Sequence, residues 1–307
     1  LGRHREALSC FDRALEIDPQ LKDAWFNKGV VLGELGRLEE EISCLDRALV
    51  IDPQFAMAWN NKGLALGELG MHREALSCFD RALVIDPQFA KAWYNKGVAL
   101  GKLGRHREAL SCLNRALEID PQDKDAWNNK GFALVGLGRH REALSCLDRA
   151  LVIDPQYKDA WVNKGLALGR LGRHEEALSC LDRALEIDPQ LKEAWNNKGV
   201  VLGRLGMHRE ALSCYDRALD IDPQLKDAWF NKGFALGRLG MNREALSCLD
   251  RALVIDPQFA KAWLNKGVAL VELGRLREAL DCFQRAQRLG DPRAAQAIAL
   301  CLQALGR

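Results

Sequence analysis

Eight asparagines, Asn27, Asn61, Asn95, Asn129, Asn163, Asn197, Asn231 and Asn265, recur at intervals of 34 residues. A primary amide offers one acceptor and two donors, the complement of a peptide N–H and C=O. Rungs spaced by one helix pair, roughly 10 Å, would meet an extended chain about every third residue at ~3.3 Å per residue. The ladder is therefore suited to holding a polypeptide backbone. Its competing use is a structural hydrogen bond inside the fold, and the sequence leaves both open.

Other reactive side chains keep the same beat. Lys28, Lys62, Lys96, Lys130, Lys164, Lys198, Lys232 and Lys266 form one series, and His4, His72, His106, His140, His174 and His208 another. The lysines offer a track for a polyanion or, the preferred reading, local ion pairs with acids near the following turn such as Asp52 and Asp86. The histidines stand one per repeat, too far apart to share an ion whose ligands all lie ~2.0–2.3 Å from it. Packing at the start of a helix is expected of them instead. Catalysis needs a nucleophile, a base and oxyanion donors converging in one place, whereas a regular array spreads every group out. No catalytic residue, metal or cofactor is predicted.

The elements that carry these groups are legible from the same period. Trp recurs from Trp25 to Trp263 and Pro from Pro19 to Pro257, each 34 residues apart. Within one repeat, Trp59, Gly63, Leu66 and Leu69 fall at helical spacing over residues 57–69, ended by Gly70. A second apolar stripe, Ala75, Leu76, Phe79, Ala82 and Leu83, predicts a helix over 72–85 that Pro87 stops. Asp86 and Pro87 are candidates to cap and start the next helix. No strand signal appears. Nine cysteines, Cys10 to Cys282, share one repeat position. Touching helix axes lie ~8–10 Å apart, and a disulfide needs Cα atoms within about 7 Å. The thiols read as small buried apolar groups in a reducing compartment, with the cytoplasm as default.

Helix pairs of this length, with Trp59, Gly63, Leu66, Ala75, Phe79, Ala82 and Pro87 in this order, resemble the tetratricopeptide repeat. The resemblance implies an all-α, right-handed superhelical solenoid of antiparallel helix pairs, and a non-catalytic scaffold that binds protein segments in its concave groove. It divides the chain into a lone second helix (1–21), seven full repeats (22–259), an eighth (260–291) and a degenerate first helix (292–307). Two departures stand out: the series from Lys28 to Lys266 where the family favours Leu, and Glu41 where it favours Ala, with locally loosened packing expected. The Trp ladder is read as core, since one helix pair cannot bury its apolar face alone and neighbours share a continuous core.

In the family, the first helices line the concave face. That placement turns the asparagines into a ladder similar to the one in the repeat superhelix of O-linked N-acetylglucosamine transferase. It makes Phe26, Tyr94 and Phe230 at repeat position 5, and Phe132 and Phe234 at position 9, candidate contacts for ligand side chains. The Val residues at position 9 are expected to be partly core. Glycines such as Gly67 and Gly101 leave room above the backbone. Arg170, Arg204 and Arg238 could face an acidic ligand segment, although a solvated helix end explains them equally simply. The Lys and Asn of the family's carboxylate clamp are missing from positions 5 and 9 of every repeat, which argues against that ligand.

Composition narrows the partner. Lys plus Arg number 44 against 42 Asp plus Glu, so neither nucleic acid nor an anionic membrane surface is favoured by net charge. No apolar run reaches the ~18 residues of a membrane span. The chain opens on Leu1 rather than Met, and the incomplete repeats at its two ends suggest a second function: head-to-tail self-association, the last helix of one copy packing on the lone N-terminal helix of another to complete a repeat. An intramolecular cap is the alternative.

Overall fold

The computed structural model describes residues 2–306. Among these the chain forms 18 helices and no strand. It divides into two compact bodies, Leu1–Pro155 and Gln156–Arg307. The first holds α1 (Gly2–Ile17), α2 (Lys22–Glu34), α3 (Leu38–Ile51), α4 (Ala56–Glu68), α5 (His72–Ile85), α6 (Ala90–Lys102), α7 (His106–Ile119), α8 (Lys124–Gly136) and α9 (His140–Ile153). The second holds α10 (Lys158–Arg170), α11 (His174–Ile187), α12 (Lys192–Arg204), α13 (His208–Ile221), α14 (Lys226–Arg238), α15 (Asn242–Ile255), α16 (Ala260–Glu272), α17 (Leu276–Arg288) and α18 (Ala294–Ala304). Within each body every helix packs on the next, and first helices of successive repeats also touch, as α2 does α4 and α12 does α14.

The tight turn inside each pair is a Schellman motif. Gly36 takes φ of +72°, its N–H donates to the carbonyl of Gly33 at 2.8 Å, and Arg37 N–H donates to Leu32 at 2.9 Å. Only glycine adopts that backbone without strain, which is why the pattern repeats at Gly70 and its counterparts. The guanidinium of Arg37 then grips Glu40 at 2.6 Å in the first turn of α3.

The turn between pairs corrects the expectation for Asp86 and Pro87. Asp86 does not cap the next helix: its carboxylate accepts the backbone N–H of Gln88 at 2.9 Å, closing a turn of the chain on itself. The residue before α6 is Phe89, with no side-chain cap. A true cap occurs at Asp123, whose carboxylate accepts from Ala126 N–H at 3.0 Å at the start of α8.

Packing within a pair depends on close approach. A Cβ on Gly63 would stand 2.6 Å from the ring of Phe79, and one on Gly131 would stand 2.7 Å from Leu147. Ala75, Ala82 and their counterparts are fully buried against the facing helix. Each Trp is half-buried in the inter-repeat core, and Trp59 donates its indole N–H to the carbonyl of Pro53 in the preceding turn at 3.0 Å. That bond explains why Trp and Pro share a beat.

Most of the lysine series does pair locally, but not with the turn acids. Lys62 binds Asp46, Lys96 binds Asp80 and Lys232 binds Asp216, each at 2.5–2.6 Å, so every bridge ties a first helix to the second helix of the preceding repeat. Asp52 is taken instead by Lys22, which holds its carboxyl below the usual range, chiefly through their hydrogen bond. The cysteines are buried except Cys10, which is exposed on α1, and no disulfide links any of them among the described residues. The expectation of burial thus fails at Cys10.

Candidate functional site

Asn27 is exposed and the other seven ladder asparagines are half-buried. Several rungs are cross-linked. Asn95 donates Nδ2–H to Oδ1 of Asn60 at 2.9 Å, Asn231 donates to Asn196 at 3.0 Å, and Asn129 donates to the Tyr94 hydroxyl at 3.3 Å and to the Asp125 carbonyl at 2.9 Å. The structural use of the amides is therefore real at these rungs. At these rungs it consumes donors: the Oδ1 atoms of Asn95, Asn129 and Asn231 take no bond from any described residue, whereas Oδ1 of Asn61 accepts from the Asn60 amide at 3.2 Å.

The aromatic candidates separate into two kinds. Phe26 lies against Phe55 with ring centroids 4.9 Å apart, and Phe230 lies against Phe259 at 5.0 Å. Tyr94 is packed into the core between repeats, and burial pushes its hydroxyl up to about 12. Phe132 and Phe234 are 43% and 50% exposed, and Phe132 also meets the ring of His106 edge-on at 6.4 Å. Of the position-9 valines, Val30, Val98 and Val200 are half-buried, as expected of partly core residues, and Val268 is 47% exposed.

In the second body the candidates converge. One open cavity of about 670 Å³ is lined by Arg204, Phe230, Asn231, Phe234, Arg238 and Asn265 among others. An adjoining one of about 350 Å³ adds Arg170 and Asn197. Arg204 donates to the Gly169 carbonyl at 2.7 Å, which fixes its guanidinium beside the cavity and leaves its remaining N–H groups for a ligand. In the first body, cavities of about 550 and 590 Å³ are lined by other residues than Asn27, Asn61, Phe26 and Phe132.

Sequence reasoning missed Lys261 and Arg293, which add positive charge to the 670 Å³ cavity, and Asp291, buried beneath it in a bridge to Arg293 at 3.0 Å. Lys261 carried a signal, since it occupies repeat position 2 on a first helix. Asp291 and Arg293 carried none, lying in the irregular connection that precedes α18.

Comparison with known proteins places this arrangement. Profiles described as tetratricopeptide repeat match residues 56–89 and 90–123, 122–190 and 158–224, and 1–55 and 230–296. Among curated proteins none matches. Of solved structures, a chain of the APC/C hetero-tetramer Cut9-Hcn1 overlays with TM-score 0.72 at 19% identity, covering 95% of this chain. This chain spans 58% of that one. A tetratricopeptide repeat protein from Parabacteroides merdae ATCC 43184 overlays with TM-score 0.64 at 17% identity over 80% of this chain and 98% of its own. YrrB, described as a TPR protein with an unusual peptide-binding site, is 28% identical over 60% of this chain and 95% of its own, with TM-score 0.47. The first two likenesses concern the fold, and they agree with the repeat-by-repeat matches that span nearly the whole sequence. The chain belongs to the tetratricopeptide repeat family.

Proposed function

We propose that the first-helix face of this array binds a peptide or protein segment, and that the protein acts as a non-catalytic interaction scaffold. The observation that carries this reading is the meeting of Phe234, exposed, with Arg204, Arg238 and the ladder residues Asn231 and Asn265 around one cavity. An exposed aromatic ring gives an apolar anchor, the arginines favour a segment with acidic side chains, and unpaired amide carbonyls accept backbone N–H bonds. The test is an array of overlapping peptides probed with wild type and with a Phe234→Ala, Arg238→Ala variant. Loss of most spots in the variant supports the site. An unchanged pattern removes it.

A second reading, head-to-tail self-association, draws on α1. Ile17 is 78% exposed while its counterpart Ile51 is half-buried, and Phe11 is half-buried where Leu45 is sealed. Light scattering over a concentration series decides, since a strictly monomeric profile at high concentration excludes it.

A further inference from the structure

The lysine ladder is broken once. Each ladder lysine stands sixteen residues after an aspartate, Asp12, Asp46, Asp80, Asp148, Asp182, Asp216 or Asp250, except Lys130, which stands after Asn114. Six of these pairs are tight ion bridges, among them Lys96 with Asp80 at 2.6 Å and Lys198 with Asp182 at 2.5 Å. Lys130 has no carboxylate within ion-pair reach among the described residues, and its ammonium leans onto the Trp127 ring at 4.9 Å, nearer than the 5.5 Å of Lys96 over Trp93.

Consecutive repeats supply an internal control. A cavity of about 550 Å³ is lined by Asp80, Lys96, Arg105, Glu108 and Ser111, and one of about 590 Å³ by their counterparts Asn114, Lys130, Arg139, Glu142 and Ser145. In the first, each of these cations has its carboxylate, Lys96 with Asp80 and Arg105 with Glu108. In the second, Arg139 is matched by Glu142 at 2.6 Å and Lys130 by no carboxylate; each lining also holds one further arginine, Arg73 in the first and Arg149 in the second. The exchange of one carboxylate for an amide removes a negative charge and adds an N–H₂ donor at the same place.

We propose that the cavity between α7, α8 and α9 is a binding site for a phosphate-type oxyanion. Lys130 on α8 supplies the point charge, and the Asn114 amide on α7 with the Ser145 hydroxyl and Arg149 on α9 supply further donors, three helices in all. A tetrahedral anion takes donors from several directions at once, which suits a set spread over three elements. The one carboxylate in the lining, Glu142, is held by both nitrogens of the Arg139 fork at 2.7 and 2.6 Å, so its charge is answered. The site shares no side chain with the Phe234 cavity, so neither proposal depends on the other.

The experiment is a calorimetric titration of the full chain with inorganic phosphate, chloride holding the ionic strength constant. Wild type binds one phosphate. Asn114→Asp rebuilds the ion pair, raises the melting temperature and weakens phosphate by roughly tenfold or more, because the new carboxylate answers Lys130 and repels the anion. Asp80→Asn breaks the next pair and adds a second, similar site. Equal phosphate binding by wild type and Asn114→Asp overturns the proposal, as does a single site in Asp80→Asn. Blocked phosphoserine in competition separates the sources: displacement of phosphate assigns the site to a phosphorylated side chain, and its failure to compete assigns it to the free ion.

Discussion

The carboxyl carbon of Glu41 lies over the bare backbone of Gly33, so near that a Cβ on Gly33 would stand 2.8 Å from it. In the seven repeats that follow, the position of Glu41 is a fully buried Ala, such as Ala75 or Ala109. The chain accommodates the longer side chain without loosening, because the missing side chain at Gly33 provides its volume, and Glu41 ends 7% exposed. Substituting Gly33→Ala should therefore destabilise wild type by about 1–3 kcal/mol through overpacking. The same change in a Glu41→Ala background should be nearly neutral. A double-mutant cycle by chemical denaturation checks it, and additive effects would contradict the contact.

The same carboxyl makes stability depend on pH. Desolvation, with a smaller contribution from the like charge of Glu68, pushes Glu41 up to about 7 from an ordinary value of 4.5. Glu34 on α2, bridged to His4 at 3.0 Å, is a further acid on a packed element, and no cation pairs with Glu41 itself. The folded state holds the proton more tightly than the unfolded state. Its stabilisation is complete below about pH 4.5 and is lost as pH rises to about 7, a fall of about 3 kcal/mol in the first repeats. Protection factors of the α2 and α3 amides, which divide out the intrinsic pH dependence of exchange, should fall across that window in wild type and stay flat in Glu41→Ala.

Two glycines one turn apart should respond oppositely to Ala. A Cβ on Gly63 meets the Phe79 ring at 2.6 Å, whereas one on Gly67 meets nothing within 4 Å. Gly63→Ala should cost about 1–3 kcal/mol by overpacking. Gly67→Ala should add about 0.5–1 kcal/mol through helix propensity. Thermal melts of the two variants, moving in opposite directions from wild type, are the expected outcome.

The tryptophans are structural, and their two contributions separate. Trp93→Phe keeps most of the packing but loses the indole bond to the Pro87 carbonyl at 3.0 Å, a cost of about 1 kcal/mol. Trp93→Ala removes the packing as well and should cost about 3–5 kcal/mol. Denaturant midpoints that fell equally for both would show that packing contributes little there.

Phe234 is expected to act on binding and not on folding. Half its surface is exposed, so Phe234→Ala should leave the melting temperature nearly unchanged. Affinity for any peptide that uses the cavity should fall by roughly tenfold or more. Fluorescence anisotropy with a peptide taken from the array provides the number.

Residues close in sequence told most of their story unaided. Gly70 after a helical stripe and Pro87 after the next fix where the helices stop, because backbone conformation is a local property. The Asn ladder was visible as a period, but its bonding was not. Asn60 and Asn95 meet only because successive first helices lie side by side, 35 residues apart along the chain. Asp46 became the partner of Lys62 for the same reason, displacing the turn acid Asp52 that spacing suggested.

The sequence by itself determined the period, the helix pairs, the family and the structural places of Trp and Gly, since each follows from local propensity repeated 34 residues apart. Tertiary structure alone decided which carboxylate answers which lysine, that Cys10 stays exposed, that Gly33 makes room for Glu41, and that Phe234 and Arg238 share a cavity. Those outcomes depend on the register in which one repeat stacks on the next, and register is set by the fit of facing side chains.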